Sequence, residues 1–177
     1  GRPGELSDSG LTTPGPLALQ ATLGELAEQG VRRVALEASS HALDQYRLEA
    51  VNVSVGVFTN LTRDHLDYHG SMAAYAASKA KLFRRSELTL AVVNGDDPLA
   101  RLMLAGCSSR VRVLATGQDE AVTLRVLDWQ AFEQGQQAMV ATPDGEKMLR
   151  LNLMGRFNLD NVLLAIAVLY GLGEPLD

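Results

Sequence analysis

The chain has 177 residues, a length that predicts one domain, and its hydrophobic content of 46% is enough for a sizeable core. Its formal net charge of −5 argues against an extensive nucleic-acid-binding surface, but it leaves room for a local site that binds anions. The single cysteine excludes an internal disulfide and is typical of a reducing compartment, and no apolar run is long enough to cross a membrane.

Strand-like and helix-like patterns alternate over the first two thirds of the chain. After a polar, glycine-rich loop over 1–11, Pro16 is a favourable first helical residue and Gly30 a typical helix stop. Helices are predicted over 16–29 and 71–84 and up to 105, and a short helix or turn over 39–46. Strands are predicted over 31–37, 53–58, 88–93 and 111–115. This alternation predicts an α/β fold with a mainly parallel sheet flanked by helices.

The pattern changes over 121–153, where Thr142-Pro143-Asp144-Gly145 is a turn signal between two strand-like runs. A small antiparallel hairpin or meander is expected there. A final apolar helix over 162–170, opened by residues 155–161, completes a single domain predicted to span 1–177.

Polar residues follow two of the predicted strands. Glu37 ends one strand, and the run F-T-N-L-T-R-D-H-L-D-Y-H-G, which ends another, contains His65. Parallel sheets bind ligands at the carboxyl ends of their strands, so Glu37 and His65 would face one crevice and suit a divalent metal. Asp67 and His69 are either part of that site or solvated loop residues. His41 is ambiguous as well, because it could serve only to satisfy a structural hydrogen bond.

Lys79 occupies a core position of the predicted helix over 71–84. It falls on the same face as Met72, Tyr75 and Leu82. The pattern alone favours a lysine that extends its amine to solvent. Burial would instead lower the pKa of the amine, and a neutral amine reacts with carbon dioxide to give a carbamate.

Other polar residues have both a binding and a structural interpretation. Gln45 and Arg47 follow the short helix, where Arg47 is either an anion-binding group or an ordinary surface residue. Thr12 and Thr13 would donate hydroxyls to an anion or cap a helix. Asn158 and Asn161 lie on one face at the start of the last helix, where capping explains only one of them.

An ordered set of motifs resembles the central domain of the Mur ligases. The motifs are T-T-P, L-E-A-S-S-H-A-L-D-Q-Y-R, V-F-T-N-L-T-R-D-H-L-D-Y-H-G, Y-A-A-S-K-A-K-L-F, N-G-D-D-P and G-R-F-N-L-D-N, in that order over roughly residues 10–173. The resemblance implies a cytoplasmic, ATP-dependent ligase of peptidoglycan synthesis. It would add a third amino acid, meso-diaminopimelate or L-lysine, to UDP-N-acetylmuramoyl-L-alanyl-D-glutamate through an acyl phosphate.

The resemblance also implies roles for individual residues. Lys79 matches the family's carbamylated lysine (N-carboxylysine), which reverses the interpretation from pattern alone. Glu37 and His65 match ligands of Mg²⁺, and together with Lys79 they form the implied catalytic and metal set. The residues that match the muramoyl-dipeptide site are Thr12, Thr13, Ser39, Gln45 and Arg47. Asn158 and Asn161 match the segment that approaches the adenine of ATP.

The resemblance leaves parts of the family pattern unmatched. The chain has no G-x-x-x-x-G-K-[ST] motif and nothing similar to the family's uridine-binding N-terminal domain or the C-terminal domain that binds the third amino acid. We therefore expect this stretch alone to be inactive in ligation. The alternatives are a non-catalytic module that binds the muramoyl-peptide nucleotide and a metal-dependent hydrolase.

Overall fold

The structure is a computed structural model that describes residues 10–61 and 66–176. Its strands are β1 (Val55–Phe58), β2 (Leu90–Asn94), β3 (Arg112–Gly117), β4 (Leu124–Phe132), β5 (Gly135–Thr142) and β6 (Gly145–Leu151). Its helices are α1 (Pro16–Glu28), α2 (Ser40–Asp44), α3 (Leu66–His69), α4 (Met72–Ala80), α5 (Ala100–Leu104) and α6 (Arg156–Gly171), and a 3₁₀ turn over Lys81–Arg84 follows α4. Within the described ranges, no helix has the length and apolarity needed to cross a membrane.

One six-stranded sheet, in the order β1-β2-β3-β4-β5-β6, contains both parallel and antiparallel parts. The first four strands pair in parallel, and β4, β5 and β6 pair as an antiparallel meander. Thr142 and Gly145 close the turn between β5 and β6, where the positive φ of Gly145 suits glycine. The prediction of a mainly parallel sheet with an antiparallel meander over 121–153 is confirmed, and the meander extends the same sheet.

The predicted strand over 31–37 is wrong. The segment has no strand assignment, and Val34 and Leu36 are exposed. Strand propensity produces a strand only where another strand supplies hydrogen-bond partners, and none of the described strands pairs with this segment. Of the predicted loop over 1–11, residues 1–9 lie outside the described part, and a single domain over 1–177 stays a prediction.

Two hydrophobic cores lie on opposite faces of the sheet, and β2 contributes to both. Ala91 and Val93 pack into the core that contains residues of α1, α2, α4 and α5, whereas Leu90 and Val92 pack into the core beneath α6. Successive side chains of a strand point to opposite faces, so a strand buried on both sides is apolar throughout. The helices therefore cover both faces of the sheet, and the carboxyl ends of the parallel strands β1 and β2 lie at the same end of it.

Local capping signals set several helix boundaries. Ser39 and Ser71 cap α2 and α4, because their side chains accept hydrogen bonds from the backbone N–H groups of Ala42 and Ala74. α1 begins at Pro16, and the chain turns after it at Gly30, whose φ is +76°. These local signals agree with the boundaries predicted from the sequence.

The fully buried side chain of Gln136 ties the meander to the loop before α6. Its amide nitrogen donates to the carbonyls of Leu153 and Gly155 at 2.7 and 3.0 Å, and its amide oxygen accepts from Trp129 Nε1 at 2.8 Å. Both N–H groups and one of the two Oε1 lone pairs of this buried amide are thus used. The start of α6 is fixed relative to β5 through this one residue.

We expect Gln136→Leu to lower the free energy of unfolding by about 2–4 kcal/mol, because an indole N–H and two backbone carbonyls lose a buried partner. Chemical denaturation measures the change. The control is Gln137→Leu on the same strand, since the Gln137 amide bonds only to the exposed Gln130 amide and should matter by less than about 0.5 kcal/mol. Equal effects of the two substitutions would contradict the role assigned to Gln136.

Candidate active site

Thr13 joins the loop before α1 to the segment that precedes α2. Its side chain is 1% exposed, and its hydroxyl donates to the Glu37 carbonyl at 2.6 Å while it accepts from the Ser39 N–H at 3.0 Å. The hydroxyl oxygens of Thr13 and Ser39 lie 3.2 Å apart. Thr13 is therefore occupied by internal bonds, whereas the neighbouring Thr12 is exposed. Of the two threonines proposed to bind an anion, only Thr12 presents its side chain to solvent.

The guanidinium of Arg47 is held in place by acceptors from two segments. Its Nη1 donates to the Thr13 carbonyl at 3.0 Å, and its Nε and Nη2 donate to Gln45 Oε1 at 3.1 and 2.6 Å. A guanidinium has five N–H groups, so two stay available. Among the described residues, no carboxylate forms an ion pair with Arg47. The arrangement presents an oriented cation, with Thr13, Ser39, Gln45 and Arg47 brought together.

Behind Gln45 lies an ion pair between α2 and the 3₁₀ turn. Lys81 Nζ is 2.7 Å from Asp44 Oδ1, and the Tyr68 hydroxyl donates to Asp44 Oδ2 at 3.2 Å. The hydrogen bond from Lys81 is the main cause that holds the pKa of the Asp44 carboxyl below its usual range, and the bond from Tyr68 acts in the same direction. Asp44 in turn raises the pKa of Lys81. Both groups are therefore charged near neutral pH.

Rings from three helices pack beside this pair. His41 lies 4.1 Å from Tyr68 between ring centroids, and His69 stacks on Tyr75 at 5.2 Å. The amine of Lys79 lies 5.2 Å from the centroid of Tyr75, within the range of a cation–π contact. His69 therefore belongs to an aromatic cluster at the end of α3, and Lys79 is half-buried against that cluster.

The predicted metal set is only partly described. The side chain of Glu37 is exposed and its carboxylate pairs with no cation among the described residues, whereas His65 lies outside them. Over 10–61 and 66–176, no group of three or more His, Cys, Asp and Glu side chains has the arrangement of a metal site. The grouping of Glu37, His65 and Lys79 around a metal stays a prediction.

Two acidic residues at the carboxyl ends of the parallel strands were not assigned a role from the sequence. In the turn after β2, Asp97 accepts from the Leu61 N–H beyond β1 at 3.2 Å, and Asp96 accepts from the Gln118 N–H beyond β3 at 2.9 Å. Asp96 also lies 3.8 Å from Arg156 at the start of α6. The turn thus connects the carboxyl ends of three strands to α6. Its sequence signal was an acidic pair directly after a buried strand.

Asn158 and Asn161 lie in the first turns of α6 but differ in their surroundings. Asn158 is half-buried and its amide donates to the Met154 carbonyl at 2.7 Å, so it closes the loop before the helix. Asn161 is exposed. Neither asparagine caps the helix, because the N-cap residue is Gly155, which has no side chain to accept a hydrogen bond. Their approach to a nucleotide stays a prediction, with Asn161 the more accessible of the two.

We expect Thr13→Val to lower the free energy of unfolding by about 1–3 kcal/mol, because the Glu37 carbonyl and the Ser39 N–H lose their partner. The exposed Thr12→Val is the matched control, with an expected change within about 0.5 kcal/mol. Urea denaturation followed by circular dichroism compares the two. If Thr12→Val were the more damaging substitution, the assignment of the buried role to Thr13 would be wrong.

Comparison with known proteins identifies relatives of the chain. The model of the family described as "Mur ligase middle domain" matches residues 2–169. A UDP-N-acetylmuramoyl-L-alanyl-D-glutamate--2,6-diaminopimelate ligase of Pseudomonas aeruginosa is 48% identical over 183 residues, which cover 98% of this chain and 36% of the relative. The chain thus spans about a third of the length of that relative.

Solved structures agree with this assignment. The structure of a UDP-N-acetylmuramoyl-L-alanyl-D-glutamate--2,6-diaminopimelate ligase superposes with a TM-score of 0.88 at 34% identity, covering 93% of this chain and 34% of that one. A MurF ligase from Thermotoga maritima, solved in complex with ADP, shares the fold with a TM-score of 0.65 at 21% identity, covering 79% of this chain and 32% of that one. The chain therefore belongs to the Mur ligase family, as a middle domain.

Proposed function

We propose that the chain is the middle domain of a cytoplasmic, ATP-dependent ligase that adds the third amino acid to UDP-N-acetylmuramoyl-L-alanyl-D-glutamate in peptidoglycan synthesis. The names of the relatives that cover 98% of the chain favour 2,6-diaminopimelate over L-lysine as that amino acid. The observation that carries the proposal is the held guanidinium of Arg47, an oriented cation in a chain of net charge −5.

The substrate is anionic, and Arg47 suits a carboxylate or a phosphate of the muramoyl nucleotide. A guanidinium that is already held by two acceptors loses little conformational freedom when an anion binds its two available N–H groups. Thr12, Ser39 and Gln45 supply neutral donors beside it, and the buried Thr13 holds the segment before α2 in position. Asn158 and Asn161 are proposed to lie next to bound ATP, and the solved relative with ADP makes a nucleotide the natural candidate.

In the proposed reaction, ATP phosphorylates the terminal carboxylate of the dipeptide, the amine of the third amino acid attacks the acyl carbon, and phosphate leaves as the amide forms. Mg²⁺, when bound, would screen the repulsion between the phosphates of ATP and the substrate carboxylate. Glu37, His65 and a carbamylated Lys79 would hold it. The carboxylate of Glu37 is exposed and forms no ion pair with any described residue. It therefore suits this hard cation, which prefers oxygen ligands.

Calorimetric titration with UDP-N-acetylmuramoyl-L-alanyl-D-glutamate tests the substrate assignment. We expect the native chain to bind and Arg47→Ala to lose at least about tenfold in affinity, since charge-assisted hydrogen bonds contribute roughly 1.5–3 kcal/mol. The control is Arg110→Ala, because Arg110 is exposed and precedes β3, at the amino end of that strand. A native chain that does not bind, or equal losses in both variants, would count against the proposal.

Carbamylation of Lys79 has its own readout. The chain has three lysines, Lys79, Lys81 and Lys147, so a lysine carbamate formed from ¹³C-bicarbonate is assigned by three substitutions, and a carbamate of the α-amino group is the resonance that all three variants keep. In the presence of Mg²⁺ and ATP, we expect a ¹³C carbamate resonance that disappears in Lys79→Arg and persists in Lys81→Arg and Lys147→Arg. Persistence in Lys79→Arg would remove Lys79 from the metal set.

A further inference from the structure

Tyr68 stands between the Asp44–Lys81 ion pair and the Gln45–Arg47 contact. Its hydroxyl donates to Asp44 Oδ2 and accepts from Gln45 Nε2, both at 3.2 Å. Gln45 in turn accepts from Arg47 through Oε1. A continuous path of hydrogen bonds therefore runs from Lys81 on the 3₁₀ turn, through α2 and α3, to the guanidinium of Arg47.

The direction of each bond in this path is fixed by chemistry. Lysine and arginine only donate, and an ionised carboxylate only accepts. Asp44 is ionised near neutral pH, because Lys81 and Tyr68 hold its pKa low. The single proton of the Tyr68 hydroxyl therefore goes to Asp44, and the tyrosine oxygen is left as an acceptor.

The orientation of the Gln45 amide follows from these ends. Because arginine only donates, only the oxygen end of this amide can accept hydrogen bonds from Arg47. Oε1 therefore faces the Nε and Nη2 of Arg47, and the amide nitrogen at the other end meets the acceptor that Tyr68 offers. Without the Tyr68 hydroxyl, nothing else described in the structure holds the nitrogen end of this exposed amide.

We propose that Tyr68 is a positioning residue, whose hydroxyl anchors the nitrogen end of the Gln45 amide and thereby holds the guanidinium of Arg47 ready for an anionic ligand. The inference deepens the proposed function, on which the identity of the anion rests. The ring of Tyr68 has a separate role, since it packs against His41 and His69. Tyr68→Phe removes the hydroxyl and keeps this packing.

The test measures Arg47 directly, in the full chain and without ligand. Hydrogen exchange of the Arg47 Nε–H, followed by ¹⁵N NMR, is expected to become at least about threefold faster in Tyr68→Phe, because the acceptor Gln45 Oε1 is no longer fixed. Asp44→Asn, which removes the acceptor-only group behind Tyr68, should act in the same direction. Tyr46→Phe is the control, since the Tyr46 ring contacts Lys81 but its hydroxyl bonds to no described residue.

A second background separates positioning from general loosening. In Gln45→Leu the path is interrupted, so Tyr68→Phe should add nothing to the exchange of Arg47. Unchanged exchange in Tyr68→Phe, or a Tyr68→Phe effect that persists in Gln45→Leu, would overturn the proposal.

Binding of UDP-N-acetylmuramoyl-L-alanyl-D-glutamate distinguishes this inference from the proposed function. If the native chain binds, Tyr68→Phe should weaken the affinity about threefold or more, while Tyr46→Phe leaves it unchanged. If the native chain does not bind but the exchange of Arg47 responds as expected, the positioning role stands and the assignment of the ligand falls. If binding is present and neither affinity nor exchange responds to Tyr68→Phe, the positioning role falls alone.

Discussion

The buried hydroxyl of Thr13 is the contact on which the arrangement of the candidate site depends. The segment before α2 carries Glu37 and Ser39, yet no described strand pairs with it. Its backbone is held at this end by the hydroxyl of Thr13, while the carbonyl of the same residue receives Arg47. One residue thus sets the position of an acidic side chain, a hydroxyl and a guanidinium, although it has no side-chain atom left for a ligand. Its role is to place the others.

Much of the fold could be predicted because its signals are local. The serines that cap α2 and α4, the glycine after α1 and the turn after β5 each act through bonds within a few residues. The strand prediction over 31–37 failed because strand formation is a property of pairs, and the valines and leucine of this segment carry no information on whether a partner strand is present. The joining of the meander to the parallel sheet through β3 and β4 was missed for the same reason.

The candidate site shows the same division. The sequence identified Thr13, Ser39, Gln45 and Arg47 by their types and motif positions, and the structure places them together. It did not indicate that Thr13 is internally satisfied, that Tyr68 contacts Gln45, or that Asp96 and Asp97 connect three strand ends to α6. Each of these depends on bonds between residues far apart in the chain. A polar residue in a motif indicates where a site lies. It does not indicate whether that residue faces the ligand or supports a neighbouring side chain.

Strand β2 separates the two hydrophobic cores and belongs to both. Leu90 and Val92 face one core while Ala91 and Val93 face the other, so both cores pack against the same strand. Loss of packing beneath α6 would also free the strand against which α4 and α5 pack. We therefore expect the described part of the chain to unfold as one cooperative unit, with the backbone amides of β2 among the slowest to exchange. Local opening would be confined to elements away from this strand, such as the tip of the meander.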